Sequence, residues 1–99
     1  MEVITDHRVK EFLESLSEND QGRAQGYIEL FEQNGFILPG QYLKKIEDDI
    51  WELRPGKIRL LVGKAGARMV VVNGFKKKTE KTPRKEVETA KKRLKEYTI

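Results

Sequence analysis

The residues best suited to chemistry in this 99-residue chain fall in two neighbouring stretches. Glu52-Leu53-Arg54-Pro55-Gly56-Lys57-Ile58-Arg59 places one carboxylate and three cations around a turn signal, and residues 75–85 form a lysine-rich run that ends in Thr82-Pro83-Arg84-Lys85. Cations at this density attract polyanions: nucleic acid first, an anionic membrane second, an acidic protein partner third. Residues 1–52 carry five Lys and Arg against twelve Asp and Glu, a balance of −7, whereas residues 53–99 carry fifteen against four, +11, within a net charge of +4. Other chemistry is sparse. There is no cysteine, so disulfides and thiolate metal sites are excluded. The only histidine, His7, lies beside the first predicted helix and reads as a surface residue.

The elements that must hold these groups follow from periodicity. The length predicts one domain, and a charged fraction of 36% against the usual ~25% predicts a thin core under a heavily charged surface. From Asp6, an expected N-cap, Val9, Phe12, Leu13 and Leu16 recur at helical spacing. Ala24, Tyr27, Ile28 and Phe31 repeat that stripe in a second helix that stops near Asn34-Gly35. Period-two alternation predicts strands around Ile50-Trp51-Glu52-Leu53-Arg54 and Lys57-Ile58-Arg59-Leu60-Leu61-Val62, joined at Pro55-Gly56. A third strand is expected over residues 68–75, where Gly74 permits a kink or a close approach, and a fourth over residues 42–46. Thr82-Pro83 reads as the N-cap and first residue of a terminal helix bearing Val87, Ala90, Leu94 and Tyr97. The expected fold is α+β: two N-terminal helices packed on a twisted three- to four-stranded antiparallel sheet, followed by a C-terminal helix. The start of the chain lacks the order of a secretory signal, and no apolar run approaches the ~20 residues of a membrane helix, so a soluble cytoplasmic protein without a membrane partner is expected.

A two-residue loop at Pro55-Gly56 sets Arg54 opposite Lys57, Leu53 opposite Ile58, Glu52 opposite Arg59 and Trp51 opposite Leu60. Alternation then puts Trp51, Leu53, Ile58 and Leu60 on a core face, and Glu52, Arg54, Lys57 and Arg59 on the other. That second face is either a solvated surface or, beside the lysine-rich run and a helix N-terminus, a phosphate-binding one. For the third strand an odd loop, with Val70 and Val72 on the core face and Asn73 outside, avoids burying an unpaired amide.

Ile50-Trp51-Glu52-Leu53-Arg54-Pro55, Ile58-Arg59-Leu60-Leu61-Val62, and the string from Asn73-Gly74-Phe75 through Lys76-Lys77-Lys78-Thr79-Glu80-Lys81-Thr82-Pro83, with Glu86, Ala90 and Tyr97, carry a resemblance. The chain resembles the phage-derived HigB-like toxins of the RelE/ParE superfamily, most strongly from Tyr42 to Tyr97. The resemblance implies a type II toxin–antitoxin toxin that cuts messenger RNA, usually on the translating ribosome, and a cognate HigA-like antitoxin with a helix-turn-helix domain. The implied reaction is attack by the RNA 2′-hydroxyl on the adjacent phosphate, with no metal and no cofactor. It needs a base, cations for the developing charge, and an acid for the leaving oxygen. Arg59 matches the superfamily's mid-strand arginine and would stabilise the transition state. Arg54 would clamp a phosphate, and Lys77 and Lys78 match a lysine pair suited to proton transfer. Lys57, Lys76, Lys81 and Arg84 are the expected RNA-binding cations.

Glu52 stands where RelE itself has a lysine, and so either supplies a carboxylate base or holds the arginine until substrate arrives. RelE's tyrosine beyond the basic segment is missing unless Tyr97 returns to the site. Trp51 reads as core, and Phe75 as either core or a base-stacking platform. Two other functions fit the same features: a ParE-like gyrase poison and a non-enzymatic RNA- or ribosome-binding module.

Overall fold

The computed structural model describes residues 1–98 and opens on a strand. β1 (Val3–Thr5) is followed by α1 (His7–Glu14), α2 (Glu18–Asn34), a 3₁₀ turn (Gly35–Ile37), β2 (Leu43–Glu47), β3 (Ile50–Leu53), β4 (Ile58–Ala65), β5 (Arg68–Lys76) and α3 (Arg84–Leu94). The strands lie in the order β1-β5-β4-β3-β2, antiparallel except for β1, which runs parallel to β5 with Val3 beside Met69. The expected three- to four-stranded antiparallel sheet led by two helices is thus corrected to a five-stranded mixed sheet led by a strand. Three residues are too few to display alternation, and their partner strand comes near the other end of the chain.

The helix boundaries follow local chemistry. Asp6 caps α1 by accepting from the Arg8 N–H at 2.8 Å, and Ser17 caps α2 by accepting from the Asp20 N–H at 3.2 Å. Gly35, with φ 62°, ends α2. Val9, Leu16, Ala24, Ile28 and Phe31 from α1, α2 and their connection pack with Leu53, Leu60, Val62 and Val71. On the opposite face Val87, Ala90 and Leu94 of α3 pack with Ile50, Leu61, Val70 and Val72. The sheet is therefore covered on both sides over much of its area, and Met69-Val70-Val71-Val72 is a continuous buried run instead of an alternating one.

Close approach explains two glycines. A Cβ at Gly63 would lie 2.7 Å from Leu94 Cδ1, and one at Gly74 would lie 2.8 Å from Phe12 Cδ2. Gly74→Ala should therefore cost about 1–3 kcal/mol by overpacking, enough to lower the melting midpoint by several degrees; a superimposable melting curve would refute the close fit.

The β3–β4 turn is centred one residue later than the sequence suggests. The Ile58 N–H donates to the Pro55 carbonyl at 3.0 Å, which puts Gly56 and Lys57 at the turn. Gly56 has φ 60° and Leu53 pairs with Leu60. The shift preserves which residues share a face but changes the partners: Glu52 faces Leu61, and continuing the register sets Arg54 across from Arg59.

β5 also differs from expectation. Its loop is even, with Ala65 paired to Arg68, and a bulge follows where Leu61 pairs with Asn73 but Val62 with Val71. Asn73 is buried beneath α3, donating from Nδ2 to the Glu86 carbonyl at 2.9 Å and to Glu86 Oε1 at 3.0 Å. The amide does not need solvent because α3 satisfies it.

Candidate active site

Past the end of the apolar packing under α3, the sheet carries a buried charge cluster. Glu52 is 2% exposed and Arg59 8%. Glu52 Oε1 lies 3.5 Å from Arg54 Nε and 4.0 Å from Arg59 Nε. Arg59 Nη1 donates to the carbonyls of Gly56 at 2.8 Å and Ile58 at 2.9 Å, which aims its guanidinium along the turn. Arg54 Nη1 reaches the Gly40 carbonyl at 3.5 Å. Its Nε is the one buried side-chain polar atom without a hydrogen-bond partner among the described residues. Burial pulls the Arg59 pKa below its ordinary value, with Glu52 opposing that shift and the Arg54 charge reinforcing it. Arginine remains charged under such a shift. Two guanidiniums thus stand side by side with one carboxylate between them.

The loop after β5 closes over this cluster. Thr82 Oγ1 donates to Glu52 Oε2 at 2.6 Å. α3 accordingly starts at Arg84 with Pro83 as N-cap and no side-chain cap bond, so the expected capping role of Thr82 is replaced by a contact with the sheet. Lys77 Nζ pairs with Glu80 Oε1 at 2.9 Å, and this bond, aided by Arg54 and Arg59, holds the Glu80 carboxyl below the usual carboxylate range. The Lys77 N–H donates to the Lys57 carbonyl at 2.7 Å, fastening the loop to the turn. Between the loop and β2 opens a cleft of about 360 Å³ whose lining includes Lys44, Lys45, Glu52, Lys81, Thr82 and Arg84.

The sequence-derived site residues divide accordingly. Glu52, Arg54, Arg59 and Lys77 come together, while Lys57, Lys76, Lys78 and Lys81 are exposed around them. Arg84 is committed elsewhere, to Glu47 at 2.8 Å and Glu88 at 2.6 Å. Glu47, held below its usual pKa by Lys91 and then Arg84, clamps α3 to β2. Trp51 stacks on Phe36, with ring centroids 4.7 Å apart, at the edge of the α1–α2 core, and Phe75 is buried under α3, which removes it as an open stacking platform. Tyr97 does not return to the site: its hydroxyl donates to Asp6 Oδ2 at 2.6 Å. Sequence reasoning missed Thr82 and Glu80 as site residues, and Lys44 and Lys45 on the cleft wall; β2's position against the loop is a tertiary fact with no local signal. Among the described residues, no three His, Cys, Asp or Glu side chains converge as a metal site would require, and no helix is long and apolar enough to cross a membrane.

A family model described as phage-derived protein Gp49-like (DUF891) matches residues 11–95. The chain belongs to the Gp49-like family. This is a RelE-like family of toxin-like proteins of toxin–antitoxin systems. The Gp49-like match runs from the second half of α1 through α3 and contains the whole charge cluster, the loop above it and the cleft; β1, the cap of α1 and its first four residues precede it. A search of curated proteins finds no match.

Proposed function

We propose that this Gp49-like protein is the toxin of a type II toxin–antitoxin pair and acts as a RelE/HigB-like endoribonuclease on messenger RNA at the translating ribosome. The observation that carries this reading is the approach of Arg54 and Arg59 to the same Glu52 oxygen, at 3.5 and 4.0 Å, with a buried Arg54 N–H left without a hydrogen-bond partner. One carboxylate, Glu52, stands between two guanidiniums, so the cluster keeps a net positive charge, and a phosphate passing to its more highly charged transition state is an anion that such a pair fits.

In the proposed reaction the RNA 2′-oxygen bonds to phosphorus as the bond from phosphorus to the 5′-oxygen breaks. The 2′-hydroxyl proton passes to Glu52, and the Lys77 ammonium, positioned by Glu80, protonates the leaving oxygen. The products are a 2′,3′-cyclic phosphate and a 5′-hydroxyl. Glu52 suits the base better than a lock on the arginines, because its contacts of 3.5 and 4.0 Å are looser than the about 2.7–2.9 Å of a tight charge-assisted pair. A cognate HigA-like antitoxin would silence the protein by covering the basic cleft.

Glu52→Gln should reduce the rate of mRNA cutting in a translation extract by about 10²–10⁴-fold, with binding of an uncleavable RNA retained. A variant as active as the wild type, or more so, would assign Glu52 to restraining the arginines instead. Growth arrest with intact mRNA, accompanied by inhibited DNA supercoiling, would replace the endoribonuclease with a ParE-like gyrase poison.

A further inference from the structure

The edge of α2 nearest the β3–β4 turn carries groups that the cleavage chemistry leaves unused. Arg23, the single basic residue of α2, lies against Gly56: a Cβ built on that glycine would fall 2.4 Å from Arg23 Nη1. The carbonyl of the same glycine takes Arg59 Nη1 at 2.8 Å, so two guanidiniums converge on one residue of the turn. One helical turn beyond Arg23, Tyr27 shares its face of α2. Its ring centroid is 5.4 Å from that of Tyr42, at an interplanar angle of 49°. Tyr42 is joined to the arginine pair through the backbone, since its carbonyl accepts from the Arg54 N–H at 3.0 Å. The Arg54 side chain reaches back to Gly40, two residues before Tyr42, at 3.5 Å. Both tyrosines are half-buried and Arg23 is exposed, so the rings are held in place yet reachable.

We propose that Tyr27 and Tyr42, flanked by Arg23 and Arg54, form a subsite for one unpaired base of the RNA, adjacent to the phosphate held by Arg54 and Arg59. Single-stranded RNA is recognised by stacking its bases on aromatic rings and guanidinium planes, with backbone phosphates on nearby cations. This patch supplies the rings, and a cation on each flank favours a nucleotide over an uncharged apolar segment. The inference rests on reading the arginine pair as an RNA phosphate site, and it adds a determinant of which nucleotide is engaged.

The test uses short single-stranded oligonucleotides with 2′-O-methyl ribose throughout, which lack the nucleophile and stay intact, titrated by fluorescence anisotropy at fixed salt. Tyr27→Leu and Tyr42→Leu should each weaken binding by about 5- to 150-fold, the range for loss of one stacked base, while Tyr27→Phe and Tyr42→Phe stay within about two-fold. Moving one abasic position along the oligonucleotide should reveal a single place where the wild type loses the same factor and the leucine variants lose little more. Wild-type binding that is indifferent to every abasic position would overturn the subsite alone, without reliance on any variant's folding. Equal losses for intact and abasic oligonucleotides in the leucine variants would do so too. Wild-type protein that binds no RNA, or binding that Arg54→Ala leaves unchanged, would overturn the phosphate-site reading as well.

Discussion

Arg59→Ala should lower kcat/KM for mRNA cleavage by about 10²–10³-fold, the usual loss when one preorganised donor to a developing oxyanion is removed. The residue is 8% exposed and its side chain already fixed by the Gly56 and Ile58 carbonyls, so it needs little rearrangement to meet a phosphate. Those same bonds give the substitution a structural component, since alanine leaves two carbonyls without their donor. Arg59→Lys separates the two effects: it keeps a cation but loses the planar fork that binds phosphate through two parallel N–H groups. Its cleavage rate should fall well below the wild type while its melting midpoint stays closer to the wild type than that of Arg59→Ala. Binding of uncleavable RNA should suffer less than turnover in both variants, because the arginine acts mainly on charge that appears in the transition state. Full cleavage activity in a folded Arg59→Ala protein would exclude the arginine from the chemistry.

The largest effect on stability is expected at Asp6. Its Oδ1 accepts from the Arg8 backbone N–H at 2.8 Å and from Arg8 Nε at 2.9 Å, and its Oδ2 accepts from Arg8 Nη2 at 2.8 Å and Tyr97 Oη at 2.6 Å. One buried carboxylate thus caps α1, pairs with a cation and receives Tyr97 from the segment after α3. Asp6→Ala removes the cap and strands the Tyr97 hydroxyl, a combined cost of about 2–4 kcal/mol, whereas Tyr97→Phe should cost about 1–2 kcal/mol.

The Arg8 guanidinium, helped by Tyr97 and opposed by burial, holds the Asp6 carboxyl well below its ordinary 3.8. Because the folded value is depressed, the stabilisation is complete above the unfolded value and is lost as pH falls from there through the folded value. Urea midpoints of wild type and Asp6→Asn should therefore differ by a constant amount near neutral pH and converge as the pH drops below about 4. A gap that persists unchanged into strong acid would show that the ionised carboxylate is not its source.

Much of the molecule was legible in the sequence where the signal is local. Val9, Ala24 and Val87 announce their helices by spacing, and Asp6 and Gly35 bound the first two through cap chemistry. The parity that unites Glu52, Arg54 and Arg59 survives the displaced turn, because moving the turn centre by one residue moves the register by two. Interactions between distant segments were not legible. Val3 to Thr5 find their partner only in β5, and the hydroxyl of Thr82 prefers a carboxylate on β3 to the helix end beside it. The buried run at Val70 to Val72 defeated alternation because both faces of the strand are covered. Asn73 was misplaced because its partner, Glu86, belongs to a helix that packs across the sheet. Spacing places Tyr27 in the apolar stripe of α2 and gives no signal for Arg23, whose neighbour Gly56 lies on a distant turn.

The pairing of β1 with β5 and of Asp6 with Tyr97 sets an order of events during synthesis. An early segment waits long for its partner: residues 3–5 cannot make their sheet pairing until residues 69–71 have left the ribosome, and Asp6 waits for residue 97. The β3–β4 hairpin, with its two arginines, depends only on near neighbours and can close soon after it emerges. For a protein proposed to act on ribosomes, the cationic turn would take shape near the mouth of the exit tunnel, while the latch between Asp6 and Tyr97 engages after the hairpin has closed.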